Sequence, residues 1–150
     1  MTAQVTGEIT TLIGALDQGI YDAGGLALLG LVGPSYEDET FPPDRLYRTF
    51  PRNGVVVLYK GPEGAQTASS VFTYLVPQDG ADAYPTPDQL IDGLPLSTAA
   101  RDDVVAHLGE PLRSTEAYDI FAVNDRFVNF RYGDNGELTL VTAMVTVPGL

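Results

Sequence analysis

His107 is the only histidine in the 150-residue chain, and it falls in the last turn of a segment with helical spacing. A protonated imidazole sits well there, against the negative end of the helix dipole. As a general base it would need an orienting carboxylate and a nucleophile. Asp103, one turn back, can supply the first, but no residue is a candidate for the second. Asp102 and Asp103 make a carboxylate pair, yet adjacent helix positions point about 100° apart. They read better as acids beside the positive helix N-terminus. Asp134-Asn135-Gly136-Glu137 has the composition of a calcium loop but lacks its other ligands and terminal bidentate glutamate, so it reads as a hairpin turn. Gly61-Pro62-Glu63-Gly64-Ala65 has neither the length nor the lysine of a phosphate-cradling loop. With no cysteine in the chain, thiolate catalysis, disulfides and Cys-ligated metal sites are excluded. These residues predict no enzyme, no cofactor and no metal.

Binding is the chemistry left. Eight Lys and Arg stand against 20 Asp and Glu, a formal net charge of −12. That balance argues against nucleic acid and anionic lipid as partners, since both are bound by neutralising phosphates with cations. A basic protein or a cation is the natural electrostatic complement; acidity as a proteome-wide habit is the alternative. Two stretches carry acids beside aromatic residues. Tyr36-Glu37-Asp38-Glu39 lies in an expected loop over residues 34–43, just before a local basic patch of Arg45, Arg48 and Arg52. Asp79, Asp82, Tyr84 and Asp88 lie in an expected connector over residues 77–95. No cation occurs between Lys60, the only lysine, and Arg101. A single-signed stripe bearing tyrosines can dock a basic partner, with Tyr36 and Tyr84 as anchors. Ordinary solvated loops would show the same composition.

The elements that position these residues follow from periodicity and turn chemistry. Ile9, Leu12, Ile13 and Leu16 fall at helical spacing, and Gly19 can end that helix. The apolar run over residues 24–33 is too short for the roughly 20 residues of a membrane span, and reads as buried core or a close-packed turn. Residues 55–59 (VVVLY) and 67–76 read as a hairpin. A helical turn is expected at residues 87–91. Ser97 is the expected N-cap of a helix over residues 97–109, with Ala100, Val104 and Leu108 on one face and Gly109 at its end. Strands are expected at Tyr118–Val123, Arg126–Tyr132 and residues 137–147. Asn124-Asp125 separates the first pair, and a two-residue type I′ turn at Asn135-Gly136 the second. Residues 55–64 lie over 127–136 without a gap, which suggests a tandem helix-plus-hairpin repeat. The expectation is one α+β domain over residues 1–150: an antiparallel sheet with two main helices on one face. Its pseudo-repeat halves, about 1–76 and 94–150, are joined by the acidic, proline-containing connector.

Ile9, Leu12, Ile13 and Gly14 with Ile20-Tyr21-Asp22-Ala23-Gly24 form one motif, and Gly54 with VVVLY a second. The third runs from Leu94-Pro95-Leu96 to Leu108-Gly109-Glu110-Pro111 and on to YGDNGEL, starting at Tyr132. In this order they resemble small bacterial immunity proteins of the pyocin and polymorphic-toxin type. That resemblance implies a protein that binds and silences a cognate toxin, often a basic nuclease. A helix ending in Leu-Gly-x-Pro before a hairpin also resembles the small lipoprotein of the outer-membrane assembly machinery. The chain departs from that family in having no lipoprotein signal and no cysteine. With no signal peptide visible at its N-terminus, a cytoplasmic setting is expected. The expected function is therefore inhibition of a basic toxin, with a small-ligand or scaffold module as the alternative.

Overall fold

The computed structural model describes residues 2–78 and 80–149, which form three α-helices, one 3-10 turn and eight strands. The first helix, α1 (Ile9–Gly14), buries Ile9 and Leu12 as their spacing predicts. A helix the sequence did not announce follows. The second, α2 (Ala23–Val32), occupies the glycine-punctuated apolar run and buries Gly25, Leu28 and Val32. Its glycines serve packing: a Cβ at Gly24 would lie 2.1 Å from the Gly14 carbonyl oxygen, so the two helices meet backbone to backbone.

The 34–43 segment is not a loop. It is strand β1 (Glu37–Phe41), turning through Pro42, Pro43 and Asp44 into β2 (Arg45–Phe50). Acid density lowers the intrinsic strand propensity of EDETF, but pairing with β2 along its whole length overrides that propensity. Next come β3 (Val55–Lys60), β4 (Thr67–Tyr74) and the expected short turn at Pro87–Gln89.

The third helix, α3 (Arg101–Leu108), starts later than Ser97. Ala100 holds the N-cap position, and its N–H donates to the Asp103 carboxylate at 2.8 Å. Ser97 lies in the turn before the helix, where its N–H and its hydroxyl both hydrogen-bond the Asp88 carboxylate and tie the connector to the helix approach. Val104 and Leu108 are buried but Ala100 is exposed, and Gly109 at φ +90° ends the helix. The second half then has four strands rather than three: β5 (Arg113–Ser114), β6 (Tyr118–Val123), β7 (Arg126–Tyr132) and β8 (Leu138–Met144).

Turn chemistry separates the last two hairpins. Asn124 and Asp125 both adopt positive φ, and they close β6 onto β7 as a two-residue turn. The Asn124 side chain also accepts from Val5 N–H and donates to Val5 C=O, each at 2.9 Å, which pins the N-terminal segment to this hairpin. The β7–β8 turn differs from the expected two-residue form. Gly136 N–H donates to Gly133 C=O, Gly133 N–H donates to Glu137 C=O, and only Gly136 takes a left-handed φ, +81°. This is a longer turn with a glycine bulge, and Glu137 holds it by accepting from Asn135 N–H.

All strands pair antiparallel in the order β1-β2-β3-β4-β8-β7-β6-β5. The architecture is α+β with the sheet dominant. Two four-stranded meanders, β1–β4 and β5–β8, meet along β4 and β8. Register divides the sheet into two faces. On the core face, Phe50, Val55, Val57, Tyr59, Val71, Ala143, Val128, Phe130, Tyr132 and Phe121 join one cluster with buried residues of all three helices. On the opposite face lie Tyr47, Val56, Leu58, Phe72, Leu140, Met144, Phe127 and Ile120. The gapless overlay of residues 55–64 on 127–136 inverts these faces, since Val55 would match Phe127. Shifting by one residue matches Val55, Val57 and Tyr59 to Val128, Phe130 and Tyr132, all on the core face.

Candidate functional site

Tyr36, Glu37, Asp38 and Glu39 lie at the edge of the sheet, and strand alternation sorts them. Asp38 stands opposite Arg48 in the β1–β2 ladder. Arg48 donates to both its carboxylate oxygens, Nε to Oδ1 at 2.8 Å and Nη2 to Oδ2 at 2.9 Å. Arg48 is only 5 % exposed, and the Tyr36 ring centroid lies 3.8 Å from its guanidinium carbon. The hydrogen bonds to Asp38 raise the Arg48 pKa, against the burial that lowers it, so the cation persists inside. Asp38 is thus a structural counter-ion. Glu37 and Glu39 point to the opposite face, both exposed, and form no ion pair among the described residues. Tyr36, 41 % exposed, and Phe41, 45 % exposed, flank the acids at either end.

The second set of expected docking residues comes apart. Asp79 lies outside the described residues. Asp82 has an exposed side chain, and its N–H donates to Pro51 C=O at 2.7 Å. Its backbone runs so close to Gly54 that any Cβ there would collide with it. Tyr84 is not a surface anchor. It is 4 % exposed, its hydroxyl donates to Glu8 at 2.9 Å, and its N–H donates to Tyr74 C=O. Burial, and then the hydrogen bond to Glu8, push its pKa far up. Its acidic neighbours in sequence concealed a partner 76 residues away. Asp88 is exposed but already engaged by Ser97, whose hydrogen bonds hold its carboxyl below the usual range.

What the fold does bring together is a cleft of about 580 Å³ on the opposite face of the sheet. Glu39, Phe41, Arg45, Tyr47 and Tyr74 line it, with Gln78 and Ala81 of a small bridge closing one side. Phe41 and Tyr47 meet edge to face, centroids 5.5 Å apart. Arg45 stands directly across from Lys60, a like-charged cross-strand pair with no carboxylate partner among the described residues. Such pairs are unfavourable, by up to about 1 kcal/mol. The period-two order Glu37, Glu39, Phe41 was the available signal for this arrangement. The prolines after it made the segment read as a loop.

His107 is exposed on α3, and a depression of about 450 Å³ beside it is also lined by Asp103. The Asp103 carboxylate accepts from Ala100 N–H and so acts as a helix cap. Among the described residues, no helix is long and apolar enough to cross a membrane. No protein-family model, curated protein or solved structure matches the chain.

Proposed function

We propose that the chain is a non-enzymatic binding protein of the cytoplasm, an immunity-type inhibitor that neutralises a basic bacterial toxin by docking it on an acidic surface. One observation supports this above the others: Glu37 and Glu39, which form no ion pair among the described residues, stand on a fully exposed edge strand flanked by exposed Tyr36 and Phe41. Long-range attraction accelerates association, and aromatic contact area slows dissociation. The tandem repeat belongs to the same proposal, with helices laid on one face of two fused meanders and the other face left for contact; the mirrored strand order supports it.

The test is association with a basic bacterial toxin, sought first in any toxin-like reading frame adjacent to this one. Glu37→Ala with Glu39→Ala is expected to leave the fold intact, because exposed charges contribute little. Association should slow and lose much of its dependence on salt. Unchanged rates and unchanged salt dependence would remove this surface from the interface.

A second reading, a small-ligand module, is favoured by the cleft's aromatic side chains together with Arg45. Those groups suit a planar anion, and thermal shift against a panel of aromatic carboxylates tests it.

A further inference from the structure

We propose that β1 is a template for antiparallel β-strand addition, and that its guest is an extended segment reading, from its N-terminus, apolar, any residue, basic, any residue, basic. This rests on the inhibitor reading and adds the mode of contact.

The backbone comes first. β1 ends the sheet order and, among the described residues, pairs only with β2; all five of its residues are exposed. Among the described residues, no backbone hydrogen bond outside the β2 ladder reaches it. Every second residue of β1 therefore turns an unpaired N–H and C=O outward, which is what an added strand needs. The far edge offers no equivalent, since β5 is two residues long.

The side chains then select the guest. An added strand places its residues about 4.5–5.5 Å from those of β1, on matching faces. Glu37 and Glu39 share the opposite face and form no ion pair among the described residues, so the guest residues beside them should be Lys or Arg. Phe41 is next on that face, with Arg45 behind it in β2. A third cation is disfavoured there and an apolar residue suits it. On the core face Asp38 is already matched by Arg48, and Thr40 is neutral, so neither demands charge. Tyr36 and Phe41 supply apolar area at the two ends.

A second copy of the chain fits poorly. Pairing β1 with itself sets two acidic strands together and joins two chains of net charge −12. Edge acids can also serve simply to repel other strands. That role requires the edge to reject a matched basic peptide as well.

The experiment uses the full chain with two synthetic probes. One is a short acetylated peptide with valine followed by lysines at the next two alternate positions, so that antiparallel pairing sets the lysines beside Glu39 and Glu37. The other is identical but N-methylated on the amides that would face β1. The first should bind, and slow hydrogen exchange at alternate amides of β1. N-methylation should weaken binding by about tenfold or more through lost hydrogen bonds. Glu37→Lys with Glu39→Lys should abolish binding of the first peptide. Equal binding of both peptides with unchanged β1 exchange would overturn strand addition while leaving a basic partner in place. Failure of both peptides to bind would also overturn it. The toxin association rates of the Glu37 and Glu39 deletions decide the parent reading separately.

Discussion

Tyr132 carries a hydroxyl that is buried on the core face and finds no hydrogen-bond partner among the described residues. Its ring centroid lies 4.9 Å from the Arg101 guanidinium carbon. Burial pushes its pKa up to about 12; the charge of Asp119 adds to the rise and that of Arg101 opposes it. The unfolded phenol ionises near 10, so the native state holds its proton more tightly. Stability must therefore fall as pH rises from about 10 towards about 12. Tyr132→Phe keeps the ring and removes an unsatisfied group. Urea melts should show unchanged stability at neutral pH, or a gain of up to about 1 kcal/mol, and a shallower alkaline loss. A neutral-pH loss above about 2 kcal/mol would mean that the hydroxyl is bonded after all. Asp119 behaves oppositely. At 1 % exposure its burial raises the pKa, but the hydrogen bonds from Arg101 and Ser114 and the Arg101 charge outweigh that and lower it. Its stabilisation is complete above the unfolded value near 3.9 and is lost as pH falls through the lower native value. Asp119→Asn should cost about 2–3 kcal/mol at neutral pH, discounted because Arg101 stays partly exposed. The same variant should flatten the acid limb below about pH 4.

Among the elements, α2 shows why glycine content alone misleads. Gly30 is exposed within the helix, and a Cβ there meets nothing within 4 Å. Gly30→Ala should stabilise by about 0.5–1 kcal/mol, because only unfolded-state entropy is removed. At Gly24 the same methyl would collide with the Gly14 carbonyl, so Gly24→Ala must push α1 from α2. It should lower the denaturation midpoint clearly. If the two substitutions shift it alike, the backbone contact between these helices is wrong. Gly136 tests a third condition. Its surroundings are open but its φ is +81°, so the cost of Gly136→Val is conformational, on the order of 1–3 kcal/mol. An unchanged midpoint would show that the β7–β8 turn lies elsewhere.

For the molecule as a whole, the β4–β8 seam is decisive. Ser70 pairs with Met144 and Tyr74 with Leu140, joining the two meanders into one sheet. The core cluster likewise mixes Ile9, Val55 and Val71 with Phe121, Phe130 and Val141. Separating residues 1–76 from 94–150 strips apolar cover from both sides and bares two central strand edges. Neither fragment alone should show a cooperative thermal transition by circular dichroism. A sharp transition in either would mean that the halves fold independently and merely adhere.

Local chemistry determined a great deal by itself. The bounds of β6 and β7 follow from alternation around Asn124-Asp125, and α1 from the spacing of Ile9 and Leu12. The positive φ of Gly136 followed from its place in a turn, although the turn type did not. Each of these depends on residues within a few positions of one another, and so is written in short stretches of sequence. Tertiary structure decided the rest. EDETF became a strand because β2 lay beside it, and Asp38 became a counter-ion because Arg48 stood across the ladder. Tyr84 went inside because Glu8 and β4 met it there. The cleft joins Glu39 to Gln78 and Ala81 across a gap in sequence that no periodicity spans. Burial and pairing are set by which strands become neighbours, and that choice minimises free energy over the whole chain rather than over any window of it.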